Sequence, residues 1–277
     1  MFDYHSGFWV NLHQFLYAQA RADNGSSDAG PWGAAVDFYK RQVIQKNFLG
    51  REMETVNNTL SDMESAPSLK ASGLDPALVE VLENAAPMYR ERWWPEHDRG
   101  NREWIASAQV FVEKYGADLA KELAKIYNTS WQKQPIRTDV AVSASSGAYT
   151  TLDPTHITIS SANPANSGPA ALEVLFHEAS HALISGVEEA LSRQAQAQSV
   201  KLRRPDLWHE VLFFTAGTLV ERRLPDYSMY AIKNGLFDRA WPGALDILKQ
   251  DWKPYLDGET DMDSAVRRLV KDYSVSQ

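Results

Sequence analysis

The sequence predicts an α+β fold that is mainly helical, with a small β-sheet just ahead of one apolar-striped helix and a helical C-terminal region. Three observations carry that reading. Apolar residues recur at helical spacing through most of the 277 residues. One stretch, Thr138 to Ser161, abandons that rhythm for a run rich in Val, Thr, Ser, Tyr and Ile, broken by Ser145-Ser146-Gly147 and Asp153-Pro154. The helix that follows holds His177 and His181 four residues apart, one above the other on a single face.

Taken in order, the chain is expected to enter a helix almost at once. Residues 6 to 21 place Phe8, Leu12, Phe15, Leu16 and Ala20 on one broad stripe, and residues 22 to 31 are a loop by composition. Helices are expected over 32 to 48, 76 to 92 and 103 to 131, the last built on Trp104, Ala108, Phe111, Tyr115, Leu119 and Leu123. Asp139 to Val142 and His156 to Ser160 alternate as strands. Helices over about 226 to 235, 242 to 254 and 261 to 273 finish the chain. This pattern fits a single catalytic domain over 1–277, or two lobes: a helical lobe over residues 1–136, and a lobe over residues 137–277 holding the sheet and the histidine helices.

The helix after the sheet carries the chemistry. Gly168-Pro169 predicts its start and Gly186 its stop, so it should run from about 169 to 185. Leu172, Leu175, Ala179, Ala182 and Leu183 mark its buried side. Its centre reads His177-Glu178-Ala179-Ser180-His181, the H-E-x-x-H pattern. Both imidazoles can reach one ion. Glu178 is rotated by about 100° from His177, which places it to take a proton from water on that ion. The cofactor expected is Zn2+.

A catalytic zinc needs a third protein ligand and an open position. Ile184 and Val187 stand where the longer metzincin pattern needs glycine and histidine, so the ligand must come from further along. The best segment runs from Pro205 to Glu221, a helix opened by Pro205 or Asp206 and closed before Pro225. His209 ranks first, because it shares a stripe with the apolar Phe213, Ala216 and Val220. Glu210 ranks second and Glu221 third, on a neighbouring stripe with Phe214 and Gly217 that reads as less buried. A glycine in mid-helix costs about 1 kcal/mol, so Gly217 implies close packing.

The motif helix resembles that of the zincin metallopeptidases. With Glu210 or Glu221 as third ligand the chain resembles the gluzincin branch; with His209 it resembles a three-histidine variant. Phe-His-Glu-x-x-His followed by Leu-Trp-His and Phe-Thr-Ala-Gly also resembles uncharacterised bacterial zincin-like proteins. The likeness covers residues 172–221. It implies a hydrolase, a metallopeptidase above all, in which Glu178 activates water and returns the proton to the leaving amine. The implied partner is a peptide or small amide substrate. In zincins a strand beside the cleft can pair with an extended substrate; a sheet that only supports the motif helix is the equal alternative. The rival functions are a zinc hydrolase acting on a non-peptide amide or ester, and a non-catalytic protein whose metal staples helices together.

Other side chains carry weaker expectations. Tyr230, ahead of Tyr227, is the preferred oxyanion-stabilising tyrosine. Glu173, one turn before His177, could orient an imidazole or favour the helix N-terminus. His156 could approach the metal's surroundings from its strand. His5, Trp9 and His13 form a stripe on the first helix, read as a solvated or capping face, and His97 reads as loop.

Composition narrows the class. Hydrophobic residues make up 44% and charged residues 23%, the balance of a folded globular protein. Net charge is −8 and basic residues occur only in scattered pairs, which argues against nucleic-acid binding. No apolar stretch approaches the length of about 18 residues that a membrane span needs. Zero cysteines exclude disulfides and a thiolate zinc site. The sequence starts without a basic n-region or signal core, so it is either cytoplasmic or an exported enzyme whose leader lies outside it; we favour the exported reading.

Overall fold

The β-branched stretch ahead of the two-histidine motif does form strands, and the first residues of the chain join it. In the computed structural model, which describes residues 1–22, 30–145 and 147–275, β1 (Phe2–His5) pairs in parallel with β2 (Ile136–Ala141). β3 (Ala148–Leu152) pairs antiparallel with β4 (Thr155–Ser160), which lies parallel to β2, giving the order β1-β2-β4-β3. The chain is thus mainly helical with one small mixed sheet and a separate two-stranded pairing described below. The helix expected from residue 6 begins only at Phe8, because Phe2–His5 are spent on the sheet edge. His5 therefore belongs to a strand, and the His5–Trp9–His13 stripe does not exist. Of the loop expected over 22–31, residues 23–29 lie outside the described residues.

The chain divides into two compact units. One comprises Met1–Gln109 and Pro135–Ser167; the other comprises Val110–Gln134 and Gly168–Gln277. The sheet belongs with the N-terminal helices, so the division does not follow a cut at 136/137.

In the first unit, α1 (Phe8–Arg21), α2 (Pro31–Phe38), α3 (Arg51–Asp62) and α4 (Pro76–Arg92) bury Trp9, Leu12, Leu16, Tyr39, Leu60, Leu82 and Tyr89 together. α2 runs on into a π-helical turn, Tyr39–Val43. Asp75 caps α4 by accepting from the N–H groups of Ala77 and Leu78, with Pro76 in the first turn. α5 (Trp94–Ile126) starts well before the expected residue 103, with Pro95 in its first turn, and ends before 131. His97 consequently lies in a helix rather than a loop, with its Nδ1 2.9 Å from the Tyr89 hydroxyl.

The second unit holds the histidine helices. Gly168, at φ +62°, turns the chain into α6 (Pro169–Ser180). The helix stops five residues short of expectation. The N–H groups of His181, Ala182 and Leu183 bond carbonyls three residues back, a tightened turn that redirects the chain into α7 (Ser185–Ala197). Gly186 stands in the first turn of α7 and does not terminate α6. α8 (Leu207–Arg223) packs on α6. Where one helix was expected over 226–235, α9 (Tyr230–Lys233) and α10 (Leu236–Ala240) form, separated by Gly235 at φ +60°. The stretch expected as one helix over 242–254 is α11 (Ala244–Ile247), a π-helical turn (Leu248–Trp252) and α12 (Lys253–Leu256). α13 (Met262–Asp272), capped by Asp261, packs on α7, and β5 (Lys201–Leu202) pairs with β6 (Ser274–Val275). Among the described residues no helix is long and apolar enough to cross a membrane.

Candidate metal centre

Two facing stripes build the site. On α6 the residues one turn apart are Glu173, His177 and, just past its end, His181; on α8 they are His209, Phe213 and Gly217. His177 meets His209 and Phe213, and Glu173 meets Gly217, so the helices run antiparallel along this seam. The three imidazole centroids form a triangle with sides of 5.2 Å. One ligand nitrogen from each ring lies within 4.8 Å of the others, a grouping unique to His177, His181 and His209 among the described residues.

The donor set suits a metal ion. Nε2 of His209 stands 3.3 Å from Nε2 of His177. Two nitrogens at 2.0–2.1 Å from a tetrahedral zinc would be about 3.3–3.4 Å apart. Burial holds His177 well below its usual pKa, aided by repulsion from the other two rings. Burial likewise brings His181 down to about 3 and His209 to about 4. All three are therefore neutral at pH 7, with lone pairs available for a cation.

Aromatic side chains wall the triangle. Phe213 stacks on His177 with centroids 3.7 Å apart, Trp208 presents an edge contact to His181 at 5.6 Å, and Trp241 does so to His209 at 5.8 Å. Sequence reasoning singled out none of these as site residues. Phe213 and Trp208 were legible as neighbours of His209 on its helix, whereas Trp241 arrives from a separate segment and had no local signal.

Glu178 is buried, with Oε2 3.9 Å from Nε2 of His181. Glu210 and Glu221 are not in the cluster. Glu210 is fully buried and accepts a hydrogen bond from the Tyr273 hydroxyl, and burial pushes its carboxyl up to about 7. Glu221 accepts from the backbone N–H of Met229 at 2.8 Å. Burial follows expectation only in part: Ala216 and Val220 are buried but His209 and Phe213 only half-buried, while Glu210, Phe214 and Gly217 on the neighbouring stripe are buried and Glu221 is half-buried. Along the site-facing stripe of α8, His209 and Phe213 are the less covered positions and Gly217 is buried.

Tyr230 begins α9 half-buried, its ring nearly parallel to Phe213 with centroids 6.2 Å apart. Its phenol is raised above the usual range by burial, then by the charges of Glu173 and Glu178, which places Glu178 in its electrostatic neighbourhood. Glu173 is fully buried rather than serving a solvated helix start. Its Oε2 accepts from the Tyr227 hydroxyl and the Tyr230 N–H, both at 2.8 Å, and burial pushes it up to about 8.

The remaining histidines have other roles in the first unit. His13, read as solvated, is fully buried with Nδ1 2.7 Å from the Tyr39 hydroxyl. His156 donates from Nε2 to the buried Asp139 at 2.6 Å, in a network completed by Ser61 and Arg137. His5 lies against Glu64 at 3.1 Å. Compared with known proteins, the chain matches no family model, no curated protein and no solved structure.

Proposed function

We propose that the protein is a zinc-dependent hydrolase of zincin type, and specifically a metallopeptidase, with His177, His181 and His209 as ligands and Glu178 as general base. The observation that carries this reading is the triangle of three neutral imidazoles from two antiparallel helices, with the Glu178 carboxylate beside it. Three nitrogen donors leave a fourth position open, as catalytic zinc requires. Bound there, zinc would supply a Lewis acid and lower the pKa of a water toward neutrality. Glu178 accepts the proton of the attacking water and passes it to the leaving amine. Tyr230, kept protonated by burial, supplies a hydroxyl donor toward the developing oxyanion.

The peptide bond is the favoured substrate because of the zincin-like motif; a non-peptide amide or ester is the alternative for the same residues. A metal that merely staples the helices needs no carboxylate between its histidines, and structural zinc is usually closed by cysteines, of which there are none. Two measurements test the reading. Plasma mass spectrometry should find about one zinc per chain, lost in His177→Ala. Glu178→Gln should retain that zinc and lose turnover of a peptide library by orders of magnitude. Full activity in Glu178→Gln sinks the mechanism; absence of any metal after incubation with zinc sinks the site.

A further inference from the structure

Among the described residues, two buried polar atoms along the α6–α8 seam have no hydrogen-bond partner: Oε1 of Glu173 and Nδ1 of His177. They belong to residues one helical turn apart on the same stripe, whose side chains are neighbours. Nε2 of His177 faces His209, so Nδ1 is the nitrogen turned away from the triangle. The other oxygen of Glu173 is already committed, holding the Tyr227 hydroxyl and the Tyr230 N–H. α8 leaves room for this carboxyl: a Cβ on Gly217 would stand 3.1 Å from Oε1 and 2.5 Å from Cβ of Met229. Buried donors and acceptors are costly when unpaired. A metal-holding imidazole generally donates its second N–H to a carboxylate, carbonyl or water.

We propose that Glu173 is the positioning residue of the histidine site: when a metal occupies Nε2 of His177, Oε1 of Glu173 receives the Nδ1–H, directly or across one water. The bond selects the tautomer that leaves Nε2 free as a ligand. Phe213, stacked on the same ring, limits its tilt, so the carboxyl governs the ring's remaining rotation. Through Oε2 the same carboxyl holds the Tyr230 backbone, so one side chain anchors both a ligand and the start of α9. This inference rests on the metal-site reading above.

The test uses the full chain loaded with Co2+ or Zn2+, comparing wild type, Glu173→Gln, Glu173→Met and Glu221→Gln. A glutamine that keeps its carbonyl on Tyr227 and Tyr230 presents N–H groups to His177, and methionine presents nothing. Both should weaken zinc binding about 10- to 100-fold in chelator competition and shift the visible spectrum of the cobalt protein. Glu221→Gln, which alters support of the same segment at Met229, should change neither. In wild type, zinc should make a slowly exchanging Nδ1–H on His177 visible by NMR, a readout that survives even if the Glu173 variants fail to fold. The proposal is overturned if the Glu173 variants bind within about twofold of wild type with an unchanged spectrum, if Glu221→Gln matches them, or if no protected Nδ1–H forms. A wild type that binds neither metal removes the metal-site reading together with this one.

Discussion

His209 shows how much one side chain decides at this site. A histidine among apolar neighbours on a helix is ordinarily a packed core residue, and Phe213, Ala216 and Val220 make that stripe apolar. What separates His209 from that case is the pairing of its Nε2 with Nε2 of His177, with burial lowering both basicities. Two lone pairs facing each other at this spacing are tolerable with a shared proton or a shared cation, and the third ring of the triangle favours the cation. His209→Ala should therefore weaken zinc binding by more than the 10- to 100-fold typical of an outer hydrogen-bond partner, beyond ~100-fold. Glu210→Gln should leave affinity nearly unchanged, because that carboxyl serves Tyr273. Chelator competition on both variants measures this directly, and equal affinities in the two would remove His209 from the ligand set.

At the scale of elements, the site is a product of the α6–α8 seam. Gly217 lets the helices and the Met229 segment approach, since a methyl group there would lie 2.5 Å from Cβ of Met229. Gly217→Ala gains helix propensity but overpacks, a cost of about 1–3 kcal/mol that exceeds the propensity gain of about 1 kcal/mol. The melting temperature should fall and zinc affinity with it; a stabilised variant would show that the seam is not tightly packed at this point. Both helices were legible in the sequence because their apolar residues keep the 3.6 period, and the two-histidine motif followed from spacing alone. The early stop of α6 at Ser180 was not legible, because no glycine or proline marks it and the tightened turn is set by packing. The strand at Phe2–His5 was equally hidden: four residues carry too little alternation, and its partner Ile136–Ala141 lies far along the chain. The partners of Glu173 are of the same kind, since Tyr227 and Tyr230 reach it only once the segment after α8 has folded back.

Across the whole molecule, buried titratable groups of opposite type set the pH range of stability. His13 in the first unit is lowered to about 4 by burial, and His177, His181 and His209 in the second are lowered as well. Their unfolded values lie near 6.5, so the unfolded chain binds more protons below that pH. Their stabilising contribution is present above about 6.5 and is lost as pH falls toward 4 and 3, each at up to about 1.4 kcal/mol per pH unit. Glu173 and Glu210 behave in the opposite sense, raised to about 8 and about 7 by burial. Their contribution is present below about 4.5 and is lost as pH rises through 7 to 8. Between about 4.5 and 6.5 these four histidines, with His97 lowered in the same sense, outweigh Glu173 and Glu210 with the raised Glu188 and Asp251, so stability should climb with pH; above 7 only carboxyls still titrate, and it should decline. Metal-free protein is therefore expected to melt highest near pH 6–7. Zinc changes the balance, because it binds the folded chain through imidazoles that are already neutral above about pH 5, adding a nearly pH-independent RT ln(1 + [Zn]/Kd) across that range. Thermal melts from pH 4.5 to 8.5, with chelator and with saturating zinc, should show the melting temperature raised by zinc at every pH above about 5. Superimposable curves would mean that the histidine triangle takes no metal, whatever the cause of the acid limb.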